Sequence, residues 1–213
     1  MGKLIQIPYI KQPRNSAKCG AACAAMVIKH YTGDSVSIDD IWGCISAISP
    51  EKQREYCSTY KIGAYISNNY FNCSSIKYSS LGKLLEFCND NGIAPIINHK
   101  SFESNIAGHF SGHFSVVKNI SGNDVVINDP ENKNRIIVSL QELASMATKN
   151  SLNDEVGGNT AIVPSLDIFP HKTRSCPKCE GDIDISFSCA ANAIQRIVEQ
   201  DLCQNCDKFS PAL

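Results

Sequence analysis

The apolar positions fall into runs with two different periods. Residues 17–31, AKCGAACAAMVIKHY, are apolar on nearly every side and predict a buried helix that stops before Thr32-Gly33-Asp34. SVSIDDIWGCI, from Ser35, predicts a short second helix with Ser37 as its N-cap. SSLGKLLEFCNDNG, residues 79–92, has apolar residues at 81, 84, 85 and 88 and predicts another helix, with Gly92 as its stop. IAPIIN then reads as a short buried strand. HFSVVKNI and DVVIND flank Ser121-Gly122-Asn123, a hairpin signal. RIIVSLQELASMA predicts a strand followed by a helix, and Gly157-Gly158-Asn159 with TAIVP close this region. Residues 50–78 are polar and tyrosine-rich with weak periodicity, and they predict no definite element. Helices first and strands later in one region predict an α+β architecture.

Composition narrows the class. The chain has 213 residues, 43% of them hydrophobic and 19% charged, enough for one main core and a small second domain. The net charge of −1 gives no global field that would favour nucleic acid or an anionic membrane. No apolar run reaches the roughly 18 to 20 residues that span a bilayer. MGKLIQIPYIKQP has no apolar core of signal-peptide length and lacks the Ser or Thr of a myristoylation signal. The expectation is a cytoplasmic protein without membrane insertion, or one exported by a route that leaves no N-terminal mark.

Eleven cysteines are many for such a protein, and without a secretion signal they point to thiols, a metal site or a catalytic thiol rather than disulfides. The character of the chain changes near Ser165. Residues 1–164 read as the main domain, 165–175 as a linker, and 176–213 as a small module with its own cysteine pattern.

Cys19 stands where a polar turn becomes the first long helix. Unpaired N–H groups and the dipole of a helix N-terminus favour a thiolate. Gly20 beside it is expected to let a substrate approach the backbone. Taken alone, such a cysteine reads as a small core residue. Gln12, in the preceding loop, carries an amide that together with the Cys19 backbone N–H could receive an oxyanion; its plain reading is a solvated loop residue. In GHFSVVKNISGNDVVINDP, residues 112–130, His113 opens one hairpin strand and Asp129 ends the other, a base and an orienting acid on one ribbon. Side chains alternate along strands, so these two share a face only if the loop is odd, as with 121–123, or if a bulge intervenes. The expectation is that odd pairing.

IPYIKQPRNSAKCGAACAAMVIKHY, GIAPIIN and GHFSVVKNISGNDVVINDP together resemble the papain-like cysteine peptidases of the bacteriocin-processing type. These include the leader-cutting domains of peptide-exporting ABC transporters and free-standing relatives. The shared pattern is a Gln in the N-terminal loop, Cys-Gly opening a helix, a strand ending in Pro, Gly-His-Phe opening a strand, and Asp-Pro after the next one. It covers roughly residues 5–148. The resemblance implies a papain-like α+β fold, with the nucleophile helix packed on an antiparallel sheet. It also implies Cys19 as nucleophile, His113 as general base and acid, Asp129 as orienter and Gln12 as oxyanion donor. No membrane or ATP-binding part accompanies the pattern, so the expected relative is a free-standing one. Residues 50–78 match nothing in the pattern, so no substrate-binding surface carries over.

Other candidates rank lower. Cys23, one turn after Cys19, reads as a buried helix cysteine. His109 precedes loop-like chemistry and is second to His113 as base. His30 and His99 have no partner in the pattern and read as structural or solvated. Asp124 reads as a turn former. Cys44, Cys57, Cys73 and Cys88 suggest only burial.

The tail carries Cys176-Pro-Lys-Cys179 and Cys203-Gln-Asn-Cys206, separated by 23 residues. Two such pairs in a core-poor segment signal a structural Zn²⁺ held by four thiolates, with an amphipathic helix over CAANAIQRIVEQDL filling the gap. His171 is an unneeded ligand, and Cys189 packs on that helix. From residue 166 onward seven acids face five bases, which argues against phosphate binding and for stability or protein docking. The leading expectation is a cysteine peptidase acting on a peptide or protein, with no nucleic-acid partner. The alternatives are a thiol-dependent deamidase or acyl transferase, or an inactive papain-like binding domain.

Overall fold

The structure is a computed structural model and describes residues 5–48, 53, 55–101, 112–148 and 158–212; His109 and residues 49–52 lie outside it. Along the chain run α1 (Cys19–Thr32), α2 (Ile38–Ile45), β1 (Ser46–Ile48), β2 (Glu55–Cys57), α3 (Thr59–Asn69), β3 (Cys73–Tyr78), α4 (Leu81–Asp90) and β4 (Ile96–Lys100). After these come β5 (Gly112–Ser121), β6 (Asp124–Asp129), β7 (Lys133–Ser139), α5 (Leu140–Ala147) and β8 (Thr160–Pro164). The last segment adds β9 (Thr173–Ser175), β10 (Asp182–Asp184), α6 (Ser186–Gln195), β11 (Val198–Leu202) and β12 (Phe209–Pro211). This is the expected mixture of helices and antiparallel sheet.

Local chemistry accounts for the helix ends. Ser37 Oγ accepts the Asp39 N–H at 3.2 Å, as its cap position predicts. Gly33, at φ +83°, closes α1 in the left-handed conformation that costs glycine least. Residues 21–28 of α1 are wholly sealed from solvent, so this helix is the centre of a core rather than a surface element.

The main sheet has the order β12-β11-β3-β8-β4-β5-β6-β7. Alternating strand residues supply two cores. Ile96, Phe114, Val116 and Ile162 pack with α1, α2 and α3 on one side. Ile97, Val117, Ala161 and Val163 pack with α4, α5 and α6 on the other. Each fully buried Ile or Leu contributes about 1.5–3 kcal/mol, so both helical layers are held mainly by apolar burial.

Two sequence expectations change here. The unassigned stretch 50–78 holds β2, α3 and the central strand β3. The strand was hidden because CSSIKY buries serines rather than alternating apolar residues. Ser74 Oγ and Ser165 Oγ are paired at 2.8 Å, which removes the cost of burying them. The helix expected across 189–202 ends at Gln195, where Arg196 adopts φ +50°, and Val198–Leu202 continue as a strand. That strand pairs with β3, so its apolar residues are buried by the sheet and not by a helix face. The β12 and β11 strands therefore extend the main sheet, and Arg174 reaches from β9 to the buried Asp201 on β11 at 3.1 Å.

Candidate active site

The ribbon that carries His113 and Asp129 turns through two residues, Gly122 and Asn123, because Ser121 pairs with Asp124. An even turn alone would put the two side chains on opposite sides. The register shifts between Val117 and Asn119, and below that bulge Val116 stands opposite Asn128. Continuing this register sets Ser115 across from Asp129, and His113 falls on the same side as Asp129. The bulge, rather than an odd loop, does what the sequence required.

His113 Nε2 lies 2.9 Å from Asp129 Oδ1, and both side chains are buried. Asp129 Oδ1 also accepts the backbone N–H of Glu131 at 2.9 Å, and Oδ2 accepts Asn132 Nδ2 at 3.2 Å. Burial raises the Asp129 carboxyl, but the His113 hydrogen bond and charge outweigh it and hold the group down at about 2. Burial alone would lower the His113 imidazole; hydrogen bonds with Asp129 and with the Cys19 thiol outweigh it and raise the ring to about 10. With Nε2 committed to Asp129, Nδ1 is the nitrogen left to face the thiol.

Cys19 is the first residue of α1, 7% exposed, and no side chain caps that helix end. Gln12, in the loop that leads to α1, is buried. Its backbone N–H donates to Pro130 O at 2.9 Å, which ties the N-terminal loop to the end of β6. Its Nε2 donates to Ser16 O at 3.0 Å and retains a second N–H. The structure thus brings His113 and Asp129 into contact, with Cys19 near enough to act on the His113 ring, and ties Gln12 to Ser16 and to Pro130, the residue after Asp129.

Gly20 does not serve as a substrate approach. A Cβ there would come within 2.6 Å of Ile62 Cδ1 and 2.7 Å of Cys57 Sγ, so glycine lets α3 and β2 close onto the nucleophile helix. Cys23 is sealed in the core and donates to Phe114 O at 3.3 Å, in keeping with a structural cysteine.

The sequence gives no sign that His99, Cys57 and Glu131 lie next to the site. His99 pairs directly across from His113, and their rings meet edge to face at 5.3 Å. Its Nε2 lies 2.9 Å from Ser115 Oγ, and burial and the His113 charge lower it to about 4. IAPIINHK reads as an apolar strand, without marking GHFSVV as its partner. Cys57 packs on Gly20, and burial raises its thiol strongly. Glu131 Oε2 lies 3.9 Å from His113 Nδ1, two residues beyond Asp129.

The second cluster lies in the tail. The sulfurs of Cys176, Cys179, Cys203 and Cys206 all lie within 4.8 Å of one another. Cys176–Cys206 and Cys179–Cys203 are each 3.6 Å apart. A tetrahedron of thiolates about 2.3 Å from a metal has edges of about 3.8 Å, so four soft sulfurs at this spacing fit a metal ion. Desolvation raises the Cys176 thiol, but backbone N–H groups of Lys178 and Cys179 and the neighbouring thiols bring it down to about 6. His171 sits by Asn72 Nδ2 at 3.4 Å and is not in the cluster. Cys189 packs on the apolar surround of the cluster.

The Peptidase C39 family profile matches residues 6–153. The chain belongs to that family. It is a cysteine peptidase of papain-like fold. Among solved structures it resembles the peptidase domain of Streptococcus ComA, a bi-functional ABC transporter involved in quorum sensing. That likeness has TM-score 0.54 and 21% identity, over 75% of this chain and 98% of that one. It also resembles a double glycine motif protease from an AMS/PCAT transporter in complex with the leader peptide, at TM-score 0.51 and 21% identity, over 76% and 94%. A C39-like peptidase from Bacillus anthracis matches at TM-score 0.55 and 16% identity, over 76% and 96%. No curated protein sequence matches significantly. Among the described residues no helix is long and apolar enough to cross a membrane.

Proposed function

We propose that this C39 peptidase hydrolyses a peptide bond with Cys19 as nucleophile, His113 as general base and acid, Asp129 as orienter and Gln12 as oxyanion donor. The observation that carries the reading is the His113 ring, bound at Nε2 by buried Asp129 at 2.9 Å, with the Cys19 thiol near enough to act on its charge. His113 takes the Cys19 proton and the thiolate attacks the scissile carbonyl. The Cys19 backbone N–H and the free Gln12 Nε2–H receive the oxyanion. His113 then protonates the leaving amine, and water releases the acyl group from sulfur. The leader peptide bound to the transporter-derived protease supports a linear peptide as substrate.

Cys176, Cys179, Cys203 and Cys206 would hold a structural zinc ion in a closed four-thiolate site. Gln204, inside the second cysteine pair, donates to Cys73 O at 2.6 Å and lies against Gly63 of α3. The metal knuckle is thereby docked on the peptidase body, which suits a stabilising role, and its acidic surroundings suit a protein rather than a nucleic acid. The deciding experiment is digestion of a peptide library with wild type and Cys19→Ala, read by mass spectrometry. Cleavage by wild type alone is expected. Deamidated or acyl-transferred peptides without new termini would replace hydrolysis by one of the other thiol chemistries, and identical inertness of the two proteins would refute the mechanism. Elemental analysis of the purified protein is expected to give one zinc per chain.

A further inference from the structure

A carboxylate that the proposed triad does not use stands near the imidazole nitrogen that Asp129 leaves open. Glu131 Oε2 lies 3.9 Å from His113 Nδ1, the ring nitrogen not taken by Asp129. Its backbone is fixed there, because the Glu131 N–H donates to Asp129 Oδ1 at 2.9 Å. Its side chain is 38% exposed, whereas His113 and Asp129 are sealed in. Among the residues whose side chains are described, no lysine or arginine lies within ion-pairing distance of it. The carboxylate is thus anchored at its root and open at its tip.

We propose that Glu131 selects substrates with a cationic side chain on the residue immediately after the scissile bond. The inference rests on the assignment of Cys19 and His113 given above. Nδ1 is the atom that returns a proton to the leaving amine, so the leaving nitrogen must come within hydrogen-bonding distance of it. A carboxylate 3.9 Å from that same atom is within one side chain's reach of the residue that carries the leaving nitrogen. Lys or Arg at that residue pairs with Glu131, and Asp or Glu is repelled by it. Discrimination comes from the attraction and the repulsion together. Solvent and salt screen a partly exposed charge, so the preference is moderate and weakens as ionic strength rises.

The test starts from the best-cleaved peptide of the library digest, synthesised in three forms with Lys, Gln or Glu after the scissile bond. Wild type is expected to rank them Lys, Gln, Glu in kcat/KM, with a Lys-to-Glu ratio of roughly threefold to tenfold at low salt that shrinks at high salt. Glu131→Gln should bring the ratio close to one, and Glu131→Lys should invert it. Each variant is compared with itself on three substrates, so any loss of folded protein cancels from the ratio. Equal cleavage of all three peptides by wild type, or an unchanged ranking in both variants, overturns this inference alone. A wild-type protein that cleaves no library peptide overturns the peptidase mechanism and this inference with it.

Discussion

His113 on β5 and Asp129 on β6 are joined at 2.9 Å because a bulge between Val117 and Asn119 brings their side chains to one side of the ribbon. Asp129 is held in turn by the Glu131 N–H and the Asn132 amide, so the carboxylate is fixed independently of the ring it orients. Asp129→Ala should lower kcat/KM by roughly 10²- to 10⁴-fold, the range associated with loss of a correctly oriented acid–base. Asp129→Asn should cost less, since its Oδ1 can still accept the ring N–H. It should also move the alkaline limb of the pH profile downward, because the charge that helps hold His113 protonated is gone. Steady-state kinetics against pH for both variants checks this; an Asn variant as impaired as Ala would show that charge, not orientation, is the larger effect.

Stability should depend on pH through three buried groups. His113, raised from 6.5 to about 10, contributes stability that is complete below pH 6.5 and lost as pH rises through about 10. Asp129, lowered from 3.8 to about 2, contributes stability present above pH 3.8 and lost as pH falls through about 2. His99, lowered from 6.5 to about 4, stays neutral in the fold while the unfolded chain takes up a proton, so stability drops as pH falls from 6.5 through about 4. The first acid-side loss is therefore assigned to His99. A Tm series from pH 7 to 4 should show this drop in wild type and a flatter limb in His99→Gln; parallel curves would reassign the loss.

Gly20→Ala sets two effects against each other. Alanine gains about 1 kcal/mol in helix propensity, but its Cβ meets Ile62 Cδ1 at 2.6 Å and Cys57 Sγ at 2.7 Å. Overpacking of this kind costs about 1–3 kcal/mol, so the net effect should be a modest loss of Tm. Removing a methyl group with Ile62→Val in the same chain should restore part of it. Thermal melts of the single and double variants decide the matter, and failure of the second change to rescue would place the strain elsewhere.

Loss of the proposed zinc should be felt beyond the tail. The strand β11, which runs directly into Cys203, pairs with the central strand β3, and Gln204 binds Cys73 O. Cys203→Ser, or chelation during unfolding, should cost several kcal/mol, and about 3 kcal/mol corresponds to roughly 6–12 °C in Tm for a chain of this size. The melt should stay single and cooperative. A separate early transition with an unshifted main one would mean that the cysteine knuckles unfold on their own.

The sequence by itself determined the local elements whose causes are local. The unbroken apolar face of α1, the Ser37 cap and the Gly33 stop are set by neighbours within one turn, and the two cysteine pairs announce their chemistry by spacing alone. It also put Cys19, His113 and Asp129 in order along the chain. Only the tertiary structure decided which side of the ribbon His113 takes, because a single bulge at Lys118 reverses strand parity and no residue type there requires one. It alone brought His99 across from His113, Cys57 onto Gly20 and Glu131 beside Nδ1, since these contacts join residues whose own neighbourhoods carry no trace of the partner. The serines of β3 and the strand ending at Leu202 were illegible for the same reason. Their place is fixed by pairing with distant strands, which satisfies buried backbone groups and hides apolar side chains irrespective of local period.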